Sequence, residues 1–128
     1  MTNMFLVMSG GAIGTLARYL TGRLAGLIMP GAAWPWGTFA VNLIGGFAMG
    51  LLAGWLARGS ILSGEPVRLL LGVGVLGGFT TFSAFSLDTM MMIERGQVAM
   101  AMGYAVVSVI GAVGALALGL NIMRSVVA

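Results

Sequence analysis

The sequence contains no cysteine and no histidine, and only 7% of its 128 residues are charged. The first absence excludes disulfides and thiolate chemistry; the second removes the commonest ligand of transition metals. Lysine is missing too, so the net charge of +3 comes from six arginines set against Glu65, Asp88 and Glu94. The resulting pI of 10.7 rests on so few basic groups that it suits lipid headgroups or small anions better than nucleic acid. With no nucleophile beside a base and no carboxylate pair placed for acid and base work, nothing points to an enzyme.

What is present is hydrocarbon. The chain is 59% hydrophobic with a mean hydropathy of +1.08, too little polar surface to dissolve as a monomer. One crossing of the hydrocarbon core takes roughly 20 apolar residues, so the length allows four transmembrane helices with short connections: one all-α membrane domain over 1–128. The helices are expected at about 4–28, 37–57, 67–94 and 98–123. The first apolar stretch lacks a basic leader region and outruns a signal peptide, which predicts a retained helix. Met29-Pro30-Gly31 and Trp34-Pro35-Trp36 punctuate the first connection, with tryptophans where a membrane interface favours them. Arg58-Gly59-Ser60 ends the second helix, Ser63 to Pro66 forms a polar turn, and Arg95-Gly96 precedes the fourth helix. Gly46, Gly50 and Gly54, like Gly111, Ala115 and Gly119, form small-residue stripes that allow close helix packing.

Charge orients the chain weakly. With four crossings, Arg58, Arg68 and Arg124 fall on one side of the membrane, and Arg95 falls on the other, toward which Arg23 also lies. The positive-inside rule then allows two readings: one preferred orientation, or dual topology with copies inserted both ways and paired antiparallel.

Polar groups at membrane depth are the first candidates for function, because lipid tolerates them only where they face protein or water. Arg18 in the first helix can pair with a carboxylate such as Asp88, snorkel, or line an anion-attracting vestibule. Asn42 in the second reads as interhelical hydrogen-bond glue or as a ligand. In the third, Gly77-Gly78-Phe79-Thr80-Thr81-Phe82-Ser83-Ala84-Phe85-Ser86 predicts a broken helix near Gly77–Thr81. Carbonyls freed there need a ligand, water or protein donors, and oxygen donors suit a hard cation. Phe82 and Phe85 share a helix face, which is most often plain packing. Tyr104, Ser108 and Ala112 share a face of the fourth helix. Amide and hydroxyl donors together with the positive edges of aromatic rings can hold a small anion without a buried cation.

These runs, with Gly37-Thr38-Phe39-Ala40-Val41-Asn42, Gly10-Gly11 and Arg18 upstream, resemble the Fluc/CrcB family of fluoride channels over the whole chain. The resemblance implies an antiparallel, dual-topology homodimer with two fluoride pores and a structural sodium ion at the dimer centre, in a bacterial inner membrane. It implies that Phe82 and Phe85 turn ring edges to fluoride and that Asn42 donates an amide hydrogen bond. Thr38, Ser83, Ser86, Tyr104 and Ser108 would belong to the polar track, and Arg18 to the vestibule. The backbone carbonyls of Gly77 and Thr80 from both subunits would bind the sodium. Two alanines depart from many relatives, Ala84 in place of threonine and Ala112 in place of serine, each removing a hydroxyl. Asp88 replaces a glutamate.

The expected function is passive, fluoride-selective export that protects a microbial cytoplasm after hydrogen fluoride enters and dissociates. A small proton-coupled exporter using Asp88 is the alternative, since that mechanism needs a membrane carboxylate. A purely structural packing protein would leave Asn42 and the hydroxyl cluster without a role.

Overall fold

The computed structural model describes residues 1–57 and 64–127, and among these every regular element is helical. The expected helix end at Arg58-Gly59-Ser60, the start of the polar turn at Ser63, and the share of Arg58 in the charge balance lie outside the described residues. Helix α1 spans Thr2–Ile28 and α2 spans Trp36–Leu56. The segment Glu65–Glu94 has two limbs. Its first, α3, runs through Glu65–Val67, Arg68–Leu76 and Gly77–Phe79; its second, α4, is Phe82–Glu94. Helix α5 is Val98–Val127. Three segments, Trp36–Leu56, Glu65–Glu94 and Val98–Val126, are long and apolar enough to cross a membrane. The 27 residues of α1 suffice in length, but Arg18 and Arg23, with several glycines and hydroxyls, dilute its apolar character.

Local chemistry explains the ends. Pro66 sits in the first turn of α3, where its missing N–H would have had no partner. Gly96, with φ +81°, ends α4 as only glycine does without strain, and Gln97 N–H reaches back to Met92 O at 2.8 Å. The middle of α3, Arg68–Leu76, is a π-helix, which the sequence pattern did not reveal.

Two helix pairs carry most of the packing: α2 on α5 and α1 on α3. Both rely on missing side chains. A Cβ on Gly50 would strike the carbonyl oxygen of Leu116, and one on Gly119 that of Phe47, so the expected stripes on α2 and α5 do meet. On the other pair, Gly10 and Gly74 approach so closely that a Cβ on either would lie 2.9 Å from the other's Cα. Such backbone contact replaces hydrophobic burial as the cohesive force between helices in lipid. The buried set is accordingly small, with Val41, Leu52, Met92, Ala101 and Tyr104 at its centre, while large apolar side chains along every helix are exposed.

Candidate functional site

The break between α3 and α4 falls at Thr80 and Thr81, whose backbones are extended (φ −82°, ψ 160° and φ −152°, ψ 122°). Gly77 and Gly78 remain helical, so the expected break lies at the C-terminal edge of its range and the glycines do not cause it. Asn42 holds it from α2: its Nδ2 donates to Thr81 O at 3.0 Å and its Oδ1 accepts from Thr81 N–H at 2.8 Å. One carboxamide thus satisfies both backbone groups of an extended residue within an apolar segment, where freed backbone groups need partners. Gly78 lacks a Cβ for another reason. One placed there would lie 2.6 Å from Gly11 O, so the glycine brings α3 against α1. Gly45 gives Thr80 room beside α2 in the same way.

From α1, Arg18 Nε donates to Gly78 O at 3.1 Å. Arg18 therefore ties the end of α3 rather than pairing with Asp88, and the ion pair found among the described residues is the exposed Arg68–Glu65 contact of 3.3 Å. Asp88 instead lies 3.5 Å from the Tyr104 hydroxyl. Thr81 caps α4, its Oγ1 accepting from Ala84 N–H at 3.1 Å, with Ser83 Oγ at 3.3 Å.

These bonds divert donors. In an unbroken helix Thr81 N–H would bind Gly77 O, and Ala84 N–H would bind Thr80 O; here one goes to Asn42 and the other to the Thr81 hydroxyl. Gly77 and Thr80 are thereby left with carbonyls whose helical donors are gone. No cluster of three acidic, histidine or cysteine side chains occurs among the described residues, so backbone oxygen is the donor on offer. Such oxygen fits a hard cation like sodium.

Beside the break lies a cavity of about 330 Å³ bounded by Asn42, Gly45, Gly46, Met49, Thr80, Thr81, Phe82, Phe85, Ser108, Val109, Ala112 and Leu116. Its polar groups are few and converge. Asn42 has a second Nδ2 hydrogen beyond the one given to Thr81. The Ser108 hydroxyl, on a residue only 5% exposed, has no partner. Phe82 and Phe85 have ring centroids 5.6 Å apart, and Phe85 leads on to the fully buried Tyr104 at 5.1 Å. Phe82 itself is 77% exposed. Ala112 faces the cavity without a hydroxyl.

The other candidates lie apart from this cavity. Thr38 joins Arg18 around a second one of about 340 Å³, where Arg23 and Ala84 also appear. Ser83 and Ser86 are exposed, and Ser86 Oγ donates back to Phe82 O at 2.9 Å. Sequence reasoning passed over Gly45, the clamping of Thr81 and the place of Arg23 beside Arg18 at the second cavity. The GTFAVN run carried a faint sign of the clamp, since an asparagine in an apolar helix demands partners.

Among the described residues the chain is an all-helical membrane protein with a broken helix and, at the break, a mostly apolar cavity into which a few polar groups converge. The model of the CrcB-like protein family, described under camphor resistance, matches residues 5–120. A protein of Novosphingobium aromaticivorans named fluoride-specific ion channel FluC is 55% identical over 127 residues, covering 98% of this chain and 99% of that one. One of the same name from Caulobacter vibrioides is 52% identical over the full length of both, and one from Mesorhizobium japonicum is 50% identical over 98% of each. The chain belongs to the CrcB family. Its relatives are named as channels, and it is not an enzyme.

Proposed function

We propose that this chain is a fluoride-selective channel that lets the ion leave the cytoplasm passively, in a bacterial inner membrane. The observation that carries the reading is the cavity at the break, where Asn42, Ser108, Phe82 and Phe85 converge beside helices apolar enough for a membrane. Fluoride must shed tightly held water to pass. The free Asn42 N–H, the unpartnered Ser108 hydroxyl and the positive ring edges of the two phenylalanines replace that water. A channel requires no titrating carrier, so in this reading Asp88 supports Tyr104 rather than carrying a proton.

In this reading α1 makes the fourth crossing, and two chains associate antiparallel, with two pores. The exposed Phe82 supports the second copy: a pore-wall ring left 77% open wants a neighbour. Helical donors diverted from Gly77 and Thr80 support sodium at the centre, where the cation would offset the negative charge of ions in the pores. Sodium stays bound and is not transported.

The deciding measurement is efflux from fluoride-loaded liposomes, with a potassium ionophore to clamp the voltage. The full chain is expected to release fluoride and not chloride. Phe82→Ile, which keeps bulk but loses the ring edge, is expected to lower the rate roughly tenfold, about 1.5 kcal/mol of an aromatic contact. Folded protein that releases no fluoride overturns the reading. A second assay, on protein exhaustively exchanged into sodium-free choline medium, is expected to show fluoride flux reduced about tenfold and restored by sodium, as one decade of occupancy-linked function would require. Undiminished flux after exchange removes sodium from the proposal and leaves the channel intact.

A further inference from the structure

We propose that Trp34, in the turn between α1 and α2, donates its indole N–H to fluoride at the end of the same track, with Gln97 as the second polar group there. The inference rests on the fluoride-channel reading and extends the path beyond the cavity that reading uses.

Three observations lead to it. Among the described residues, the buried side-chain atoms without a hydrogen-bond partner are Trp34 Nε1, Gln97 Oε1 and Ser108 Oγ. They are not scattered. Gln97, the residue before α5, and Ala101, Tyr104 and Ser108 within it succeed one another at spacings of four, three and four, which aligns them along one side of the helix, and Ala101 and Tyr104 are fully buried there. Trp34 meets that face edge-on at Tyr104, with ring centroids 5.2 Å apart and planes at 86°. The unsatisfied atoms therefore mark one line, about 16 Å long from Ser108 to Gln97 at 1.5 Å per residue.

The same line carries an unbroken aromatic row. Phe82 touches Phe85, Phe85 touches Tyr104, and Tyr104 touches Trp34. An indole nitrogen can only donate, so a buried one without an acceptor calls for an anion or water. The Gln97 amide can turn end for end, exchanging its oxygen for N–H, so it too can offer hydrogen further along the same face. These are neutral donors, and Asp88 lies within 3.5 Å of the Tyr104 hydroxyl between them and the cavity. An anion held by neutral donors near a carboxylate is bound weakly, as the last station of a conducting path must be. The row thus ends in a place where fluoride is passed back to water.

The test uses the full chain in lipid nanodiscs with 15N-labelled tryptophan. The three indole N–H signals are assigned by Trp36→Phe and Trp55→Phe, then tracked during titration with sodium fluoride and, separately, sodium chloride. Expected is a saturable shift of the Trp34 signal with fluoride alone, and fluoride efflux reduced roughly tenfold in Trp34→Phe, the loss of one hydrogen bond to an ion. If wild-type protein conducts fluoride while its Trp34 signal ignores the ion, an ordinary buried water satisfies the indole and the inference is overturned, with the channel reading standing. If wild-type protein conducts no fluoride, the channel reading fails and takes this inference with it. A Trp34→Phe chain that does not fold leaves the wild-type titration to decide.

Discussion

Replacing Asn42 by alanine is expected to abolish fluoride flux and, in the same stroke, to lower thermal stability in detergent by roughly 10 °C or more. The two losses share one cause. Asn42 binds both Thr81 N–H and Thr81 O, and its removal leaves two backbone groups unsatisfied where lipid and protein supply no substitute. At about 1–3 kcal/mol for each orphaned group, the break costs far more than a surface change. Ser108→Ala provides the contrast: the hydroxyl it deletes has no partner within the chain, so flux should fall while the melting temperature holds. An Asn42→Ala protein as stable as wild type would show that the clamp is idle, and that the asparagine acts through the ion alone.

Gly14→Val is expected to prevent folding or assembly altogether. A Cβ at this buried position would strike Val75 O and lie 2.9 Å from Phe79 N, and neither atom is the yielding tip of a side chain. The helices would have to separate, a cost at or above the upper end of the about 1–3 kcal/mol usual for overpacking. Separation would also stretch the bond from Arg18, one turn further along α1, to Gly78 O. Gly114→Ala is the control, because its Cβ would meet nothing within 4 Å and alanine favours helix. Size-exclusion profiles in mild detergent distinguish the outcomes; a monodisperse Gly14→Val protein of wild-type elution volume would contradict the packing described for α1 and α3.

Helix positions are legible in the sequence because proline, glycine and tryptophan punctuate the chain and apolar runs fill the intervals. The second helix, expected at 37–57, occupies Trp36–Leu56; the third, expected to reach Glu94, does so. Glycine stripes on α2 and α5 read as packing faces because lipid leaves small residues few other uses. The break is visible only as a region. Reading glycine as freedom of the backbone draws it toward Gly77 and Gly78, whereas in the fold Gly78 matters for the Cβ it lacks, facing Gly11 O. What opens the helix at Thr81 is a side chain 39 positions away, and no local pattern announces a partner at that distance. Arg18 is only partly legible for a related reason. A cation in an apolar helix can pair with a carboxylate, but a helix end offers it unsatisfied carbonyls, and the half-buried Arg18 takes one. Trp34 carries an interfacial signal that is true and incomplete, since the fate of an indole nitrogen depends on which helix its ring leans against.

The π-helical stretch Arg68–Leu76 bears on how chains of this family can vary in length. An α-helix turns about 100° with each residue, so one residue gained or lost between Gly77 and Thr81 would swing Thr81 away from Asn42. A π-turn is wider by one residue, and a deletion inside it can tighten the coil to α geometry while the residues beyond it keep their bearing. A one-residue deletion is therefore expected to displace Thr81 less within Arg68–Leu76, provided Gly74 keeps its place against Gly10, than between Gly77 and Thr81. The loosely wound segment acts as an expansion joint, taking up discrepancies of sequence length so that the clamp beyond it stays true.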